Sequence, residues 1–507
     1  LRERAQNLLD VLEGAVFAVP SGPYARLFAH AGVDLRDVRH LVGQRGVEGA
    51  LDALFDAGVY LRLDEFKGRR SIRRGSLEIE VTSRDFNHPL SGKHFAVQTG
   101  GSRSGGTRLY VDLEHYAQDA MHYCAFIDAF GLFERPYGLW RPTPPWHAGI
   151  KGVMRCAKLG KVPEKWFSQN RLQLSTRAWK HASLAAAVIY GSRLCGVRLP
   201  VPEHVPLSDA GRVAQWLASA KKRGPPAVLN TNAASGLRVA LAAWDEGLEI
   251  SGSLFRLGGE PLTPAKMQVF ERVGARVACA YNMGEAGLLG LPCARPHAID
   301  EVHVVTDSVA LIQRPVKVGP GPQVMVGVYT TLLPSSPKLM INMISDDYGV
   351  LERRPCGCPL ARMGYDLHLH TIRSYEKLTS EGMNFLGADL IRLVEEVLPA
   401  RFGGAPTDYQ LVEDELQNGL PVVSLVVSPR VGEVEEGAAV ETVIAFLNRV
   451  PGASDDYAER WRQGGTLRLV RREPYATGAA KILALHTTRP SKGVSADELR
   501  ESTRSRD

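Results

Sequence analysis

Three places in this chain of 507 residues gather side chains that can do chemistry. The first is TGGSRSGGTR, residues 99–108, which follows the short apolar stretch FAVQ. It has almost no bulky side chains. It offers the hydroxyls of Thr99, Ser102, Ser104 and Thr107, the open backbone at Gly100, Gly101 and Gly105, and the charges of Arg103 and Arg108. Amide donors and hydroxyls arranged this way can wrap a triphosphate. Alone the loop is a weak signal, because glycine-rich runs mostly turn the chain. No Lys follows the glycines, so it is not G-x-x-x-x-G-K-[ST], and it is not G-x-G-x-x-G either. The second place is ACAYNMGEAG, 278–287, where Glu285 follows an apolar strand and a glycine. Taken by itself, that position fits a plain helix N-terminal acid favoured by the dipole. The third is PCGCP, 355–359. Cys356 and Cys358 on a tight glycine turn can offer two thiolates to one soft metal, or can be unrelated reduced thiols. Upstream, CARPHAIDEVH supplies Cys293, His297 and His303.

The elements that must position these groups read as an ordinary soluble protein. The chain is 44% hydrophobic and 23% charged, which gives ample core and room for more than one domain. No apolar run reaches the roughly 18–20 residues of a membrane span. The start, LRERAQNLLDVLEGAVFAVP, reads as an amphipathic helix and not as a signal peptide, and it carries no initiator Met. A net charge of +6 is mild. The basic clusters FKGRRSIRRG and KKRG lack interleaved aromatics, so they read first as solvated faces and second as a dock for an anionic cosubstrate. Seven sparse cysteines argue against a disulfide scaffold and for a reducing, cytoplasmic setting.

Along the chain, the first ninety or so residues read as helical. From about residue 77 the pattern becomes short apolar strands, such as HFAVQTGG, PAVLNT, SLFRLGGE and ARVACAYNMGE, with helices between them. That predicts a wound α/β domain with ligands at the carboxyl ends of its strands. A more β-rich section follows from EVHVVTDSVALIQRPV to KLMINMIS. From about 371 the character becomes that of a compact α+β tail. The expected fold class is therefore α/β: a large N-terminal wound domain with a β-rich subdomain over 1–371, including a helical lead-in over 1–90, and a small C-terminal α+β domain over 372–507.

Taken in chain order, these motifs resemble the adenylate-forming superfamily, the acyl-CoA synthetases and adenylation domains. TGGSRSGGT resembles its T-S-G-T-T-G-x-P-T phosphate loop, with Gly101 and Thr107 matching and Arg103 and Ser104 departing. PPWHAG, 144–149, resembles the P-x-x-H-x-x-G segment that lines the acyl pocket, which implicates Trp146, His147 and Gly149. LFRLGGEPL, 254–262, resembles the strand and loop flanking the adenine, with Gly258, Gly259 and Glu260. ACAYNMGEAG resembles Y-G-x-T-E. The resemblance implies that Tyr281 covers the adenine, with Asn282, Met283 and Gly284 beside it, and that Glu285 binds magnesium. LMINMISDDYGVL resembles the segment ending in T-G-D, which implies that Asp347 holds the ribose, with Asp346 in the place of Gly. In HTIRSYEKLTSEGMNFLGADLIRLVEEVL, Arg373 and Gly382 match the hinge of a C-terminal domain that swings between half-reactions. YATGAAKIL resembles the segment bearing the catalytic Lys, here Lys481. The resemblance runs from about residue 90 to 485, and the GMNFLGADLIRLVEEVL run with the cysteine pair is similar to the phenylacetate–CoA ligase-like branch. Some members of that branch carry a Cys/His zinc knot between the same two places. This implies a structural Cys3His zinc site of Cys293, His303, Cys356 and Cys358, with His297 in reserve, bracing two nucleotide-binding loops from behind.

The function so implied is ATP- and Mg2+-dependent activation of a carboxylic acid as an acyl-adenylate, with release of pyrophosphate and transfer to the thiol of CoA. Transfer to a carrier protein or an amine, and nitrite activation for N–N bond formation, stay open within the same fold. So does a nucleotide-binding homologue without catalysis, given the departures at Arg103, Ser104, Asp346 and Tyr375. The expected partners are a small carboxylic acid and CoA or a carrier protein, with neither nucleic acid nor membrane; a homodimer is left open. The loops near His147, NTNAASG (230–236) and Gly258–Glu260 contain no obvious cation, so an apolar or aromatic acid is the expectation.

Overall fold

The structure is a computed structural model, and it describes residues 2–98, 108–144, 146–170, 179–317, 323–374, 377–380, 383–386, 390, 392–416, 419–449, 461–475 and 485–487. The expected phosphate-loop residues at 99–107, and Tyr375, Gly382 and Lys481, lie outside the described residues.

The lead-in forms helices α1 (Arg4–Leu12), α2 (Pro23–Ala31) and α3 (Leu35–Asp56). Each start obeys local chemistry. Asp34 caps α3 by accepting from the Arg36 and Asp37 amides, and Pro23 opens α2 where its missing N–H costs nothing. These helices share one apolar core with an antiparallel sheet described below. Asn342 pins them there. Its backbone carbonyl accepts from Leu61 N at 3.2 Å, and its buried amide donates to Leu51 O at 2.8 Å and Val59 O at 3.1 Å.

The middle of the chain winds strands and helices alternately. Helices α4 (Leu113–Phe130), α5 (His147–Lys158), α6 (Trp179–Leu194), α7 (Ala210–Arg223), α8 (Ala233–Asp245) and α9 (Pro264–Arg272) lie among strands β1 (Tyr137–Trp140), β2 (Lys165–Ser168), β3 (Glu203–His204), β4 (Val228–Asn232), β5 (Leu254–Gly258) and β6 (Arg276–Cys279). The strands form a six-stranded parallel sheet in the order β6-β5-β4-β1-β2-β3. Every residue of β1, β4 and β5 is buried, as a sheet covered on both faces requires. Successive residues of β1 report the two coverings. A Cβ on Gly138 would meet Trp216 of α7, while the Leu139 side chain fills the space beside Gly152 of α5. From β1 the winding proceeds to β2 and β3, then returns to place β4 on the other side of β1. The crevice outside the carboxyl ends of β1 and β4 is therefore the topological switch point, where sheets of this kind bind ligands.

A seven-stranded antiparallel sheet follows. It comprises β7 (Tyr281–Met283), β8 (Gly287–Pro292), β9 (Val302–Val304), β10 (Val309–Lys317), β11 (Gln323–Thr331), β12 (Met343–Arg353) and β13 (Leu367–Ser374), in the order β7-β8-β9-β13-β12-β11-β10. β13 carries the sheet as far as Ser374, which pairs with Asp347. Beyond it, β14 (Tyr409–Glu415), β15 (Pro421–Val427), β16 (Leu467–Arg471) and β17 (Leu485–Thr487) make a mixed sheet in the order β16-β15-β14-β17. Helix α10 (Glu436–Arg449) contributes Ala439, Val443, Ile444 and Leu447 to the apolar core of this region. Arg238 Nη2 donates to Gly464 O at 2.8 Å, and Leu207 N donates to Gln463 Oε1 at 3.2 Å, so this region touches the wound one. Among the described residues no helix is long and apolar enough to cross a membrane.

Candidate functional site

At the switch point the chain leaves β1 through Arg141. Its guanidinium donates from Nε and Nη2 to Asn230 Oδ1 at 3.2 and 3.0 Å, from Nη2 to Thr231 O at 2.6 Å, and from Nη1 to Asn232 Oδ1. Asn232 stands at the N-cap of α8, where an Asn side chain ordinarily turns back to the helix amides. Here it faces Arg141, and Glu260 takes over the cap by accepting from Ala234 N at 2.6 Å. Burial, then the neighbouring charge of Arg256, pushes Arg141 down to about 9. The expectation that these loops hold no cation is thus corrected: Arg141 is brought to the NTNAASG loop from six residues before His147, and no periodic pattern in LWRPTPPWHAG marks it.

Glu260 follows Gly258 and Gly259 at the end of β5. Gly259 has φ 85°, a left-handed backbone that favours glycine. A Cβ on Gly258 would stand 3.0 Å from Ala280 O, so β5 and the start of the next motif approach closely there. That next motif joins Tyr281 to Asp347. The Tyr281 hydroxyl donates to Asp347 Oδ2 at 2.7 Å and lies 3.1 Å from the Tyr329 hydroxyl. Burial, then the Asp347 charge, raises the Tyr281 phenol well above its ordinary value. Asn282 is exposed, Met283 ends β7, and Gly284 begins the turn that carries Glu285. The Glu285 side chain is buried and forms an ion pair with Lys67, which is itself buried. Lys67 belongs to FKGRRSIRRG in the lead-in. Sequence reasoning left it on a solvated face, and only its partner two hundred residues away distinguishes it. Lys338 donates its amide to Glu285 O at 3.1 Å and its ammonium to Asn87 Oδ1 at 2.7 Å. Burial pushes Lys338 down to about 8, with Lys67 adding to the shift and Glu285 opposing it.

Of the residues expected at an acyl pocket, His147 opens α5 and packs its ring 5.6 Å from Tyr116. Burial, then the charges of Lys151 and His115, pushes it down to about 3, which keeps it neutral. Trp146 is 2% exposed and belongs to the apolar core of the C-terminal region. At Gly149 a Cβ would stand 2.3 Å from Pro142 O, so this glycine serves the close approach of α5 to the strand-end loop. Beneath lies Asp119, paired with Lys151 at 2.9 Å and Arg155 at 3.3 Å. Burial raises its carboxyl, but the two cations outweigh burial and hold it well below the usual carboxylate range.

Behind the antiparallel sheet, the ligand atoms of Cys293, His303, Cys356 and Cys358 all lie within 4.8 Å of one another. Cys358 Sγ is 3.1 Å and Cys356 Sγ 3.7 Å from His303 Nε2. Gly357 between the two cysteines has φ 68°, which folds both thiols toward one point. His303 Nδ1 donates to Tyr365 O at 2.6 Å, which leaves the Nε2 lone pair facing the thiols. Tetrahedral zinc with ordinary bonds spaces its ligand atoms by about 3.5–3.8 Å, so the donor set fits that ion. His297 is not in the cluster and lies 3.4 Å from Arg354. Arg354 bonds Glu301 at 2.9 Å, and His368 Nδ1 lies 2.5 Å from the same carboxylate.

Arg373 closes the frame at the end of β13. Its Nη1 donates to Asp300 Oδ2 at 2.9 Å, and Asp300 also accepts from the amides of Thr371 at 2.8 Å and Ile372 at 3.0 Å.

No family model and no curated protein matches the sequence. Solved structures do match. The chain is similar to 2-hydroxyisobutyryl-CoA ligase in complex with 2-HIB-AMP and CoA in the thioesterification state, at 16% identity and a TM-score of 0.57, over 99% of this chain and 92% of that one. The same ligase in the postadenylation state with 2-HIB-AMP gives 15% identity and a TM-score of 0.49 over the same shares. The o-succinylbenzoate CoA synthetase of Bacillus subtilis gives 13% identity and 0.42, over 91% of this chain and 80% of that one. The likeness with a TM-score of 0.57 shows that the chain has the fold of that 2-hydroxyisobutyryl-CoA ligase, here a large N-terminal α/β region followed by a small C-terminal one.

Proposed function

We propose that this protein activates a carboxylic acid as an acyl-adenylate and passes the acyl group to the thiol of CoA. The observation that carries the reading is the meeting of Tyr281 and Asp347, the two residues the motifs assign to adenine and ribose. In the first step a carboxylate oxygen bonds to the α-phosphorus of ATP and pyrophosphate leaves. In the second a thiolate bonds to the acyl carbon and AMP leaves. Tyr281 supplies a face for the base and Asp347 accepts from the ribose hydroxyls. The loop at 99–107 and Lys481 supply phosphate donors. His147, kept neutral by burial, can accept or donate one hydrogen bond to the acid.

Glu285 offers one hard carboxylate, which suits magnesium, since that ion commonly takes one or two carboxylates and completes its shell with water and phosphate. Bound there, magnesium would neutralise phosphate charge. Lys67 already balances Glu285 and would share that carboxylate. Zinc on Cys293, His303, Cys356 and Cys358 would be structural, because all its ligands come from the protein. Some members of the phenylacetate–CoA ligase-like branch carry a Cys/His zinc knot between the same two places, and on that resemblance we assign the chain there. We place the hinge just after Arg373, with the region beyond it rotating between the two steps.

The test is acid-dependent pyrophosphate release from the full chain with ATP, magnesium and a panel of acids. CoA, a carrier protein and an amine are then added in turn. Release with at least one acid, followed by a CoA thioester, is expected. Release with no acid, or with nitrite alone, would overturn the carboxylate reading.

A further inference from the structure

Four cations stand on one face of the parallel sheet beside its switch point: Arg141, Lys151, Arg155 and Arg256. Their proximity is read from shared partners. Arg256 is the register partner of Asn230, whose amide holds Arg141. Arg155 and Arg256 lie over the same Tyr123 ring, at 3.8 and 5.3 Å. Asp119 satisfies Lys151 and Arg155. Among the described residues no carboxylate pairs with Arg141 or Arg256. Arg256 is 3% exposed, and its Nε and Nη2 have no hydrogen-bond partner. A buried cation without a counter-ion costs several kcal/mol, so native proteins seldom leave two together.

Arg141 is the half-buried member of the four where the others are buried, and it leaves the carboxyl end of β1 at the switch point. Its partners are neutral amide and carbonyl oxygens, which orient the guanidinium without cancelling its charge. They occupy all but one of its N–H donors. Asn232 gives up the cap of α8 to hold it, and that helix end adds its own partial positive charge. The other anion facing Arg141 is Glu260, which the α8 amide already engages. The net field at this opening is positive and is complementary to an anion.

The motifs set the adenine against Gly258–Glu260 and Tyr281, at the ends of β5 and β6, and the acyl pocket at PPWHAG and the NTNAASG loop. Arg141 bridges β1 and β4, one to two strand spacings from β5, or about 5–10 Å. We propose that Arg141, held at the NTNAASG loop by Asn230 and Asn232, binds a second acidic group of the acid substrate, so that the substrate is a dicarboxylic acid. This rests on the adenylation reading, and it replaces the apolar acid that the loop composition suggested.

The experiment compares pyrophosphate release for matched acids: pentanoate against glutarate, hexanoate against adipate, and benzoate against isophthalate. The diacid of a pair is expected to exceed its monoacid in kcat/KM. In Arg141→Met that diacid-to-monoacid ratio should fall about 10–100-fold. ATP affinity, measured by calorimetry without acid, should be unchanged, which separates a substrate anion from a phosphate. Preference for monoacids in the wild type, or a ratio that Arg141→Met does not alter, overturns the proposal. If no acid supports release, the adenylation reading fails by itself, and calorimetry of glutarate, adipate and isophthalate with wild type and variant decides Arg141 separately. Should Arg141→Met lose its circular dichroism, Arg141→Lys serves instead: weaker diacid binding is expected, and equal binding counts against the assignment.

Discussion

The hydroxyl of Tyr281 reaches 66 positions along the sequence to donate 2.7 Å to Asp347. The two residues come from β7, at one edge of the antiparallel sheet, and from β12, near the other. Tyr329 of β11 supports them from 3.1 Å. If this pair reads the ribose, Asp347→Asn should raise the KM for ATP by about 10-fold or more. It should also abolish discrimination against 3′-deoxy-ATP. A variant that still rejects the deoxy nucleotide as the wild type does would remove Asp347 from that role.

The buried Lys67–Glu285 pair makes a stability prediction that differs from the catalytic one. Removing one partner strands the other charge, so Lys67→Met should cost about 3 kcal/mol of unfolding free energy, lessened by Lys338 nearby. The double variant Lys67→Met/Glu285→Gln should recover much of that loss, because both charges are gone. Its pyrophosphate release should stay near zero. Chemical denaturation checks the first statement and the release assay the second. Recovered activity in the double variant would mean that Glu285 is structural only.

At the cysteine cluster, freshly purified protein should hold one equivalent of zinc by elemental analysis. Cys358→Ser should weaken zinc binding by more than about 100-fold and lower Tm. Strong chelation of the wild type should reproduce the lower Tm. Protein that is free of zinc when prepared under zinc supplementation, with a Tm indifferent to chelator, would leave the site as three reduced thiols beside a histidine.

Acid should destabilise this protein earlier than carboxylate titration alone would. Burial pushes His88 and His115 down to about 4, from an ordinary value near 6.5. Between those values the unfolded chain binds protons at both, and at His147 as well, that the folded chain refuses. Stability is therefore complete above about pH 6.5 and declines as pH falls toward 4, by at most about 3 kcal/mol per histidine. Calorimetric Tm values across that window check this, and His115→Gln should flatten part of the slope. A level Tm between about pH 7 and 4.5 would show that none of these histidines is buried neutral.

The legible parts of this molecule are those that local chemistry dictates. PAVLNT and SLFRLGGE read as buried strands because their apolar runs are short and end in small or polar residues, and both are strands of the parallel sheet. The motif around Tyr281 was legible for the same reason, since it follows a strand whose end must be open. The resemblance chose His303 and kept His297 in reserve. What separates them is the pairing of β9 with β13, which sets His303 against His368 and aims it at the cysteines. Lys67 and Arg141 were not legible. Each sits among residues with an adequate local explanation, and each takes its significance from a partner that only the tertiary fold supplies.

Three consecutive residues at the end of β13 fasten to the one carboxylate of Asp300. A strand moored at that many points behaves as the fixed end of a lever. If the C-terminal region swings as proposed, the peptide units of Thr371 to Arg373 stay still. The floor formed by Tyr281, Asp347 and Ser374, the register partner of Asp347, would then keep its shape through such a swing. The protein could change what faces the nucleotide without loosening its hold on it.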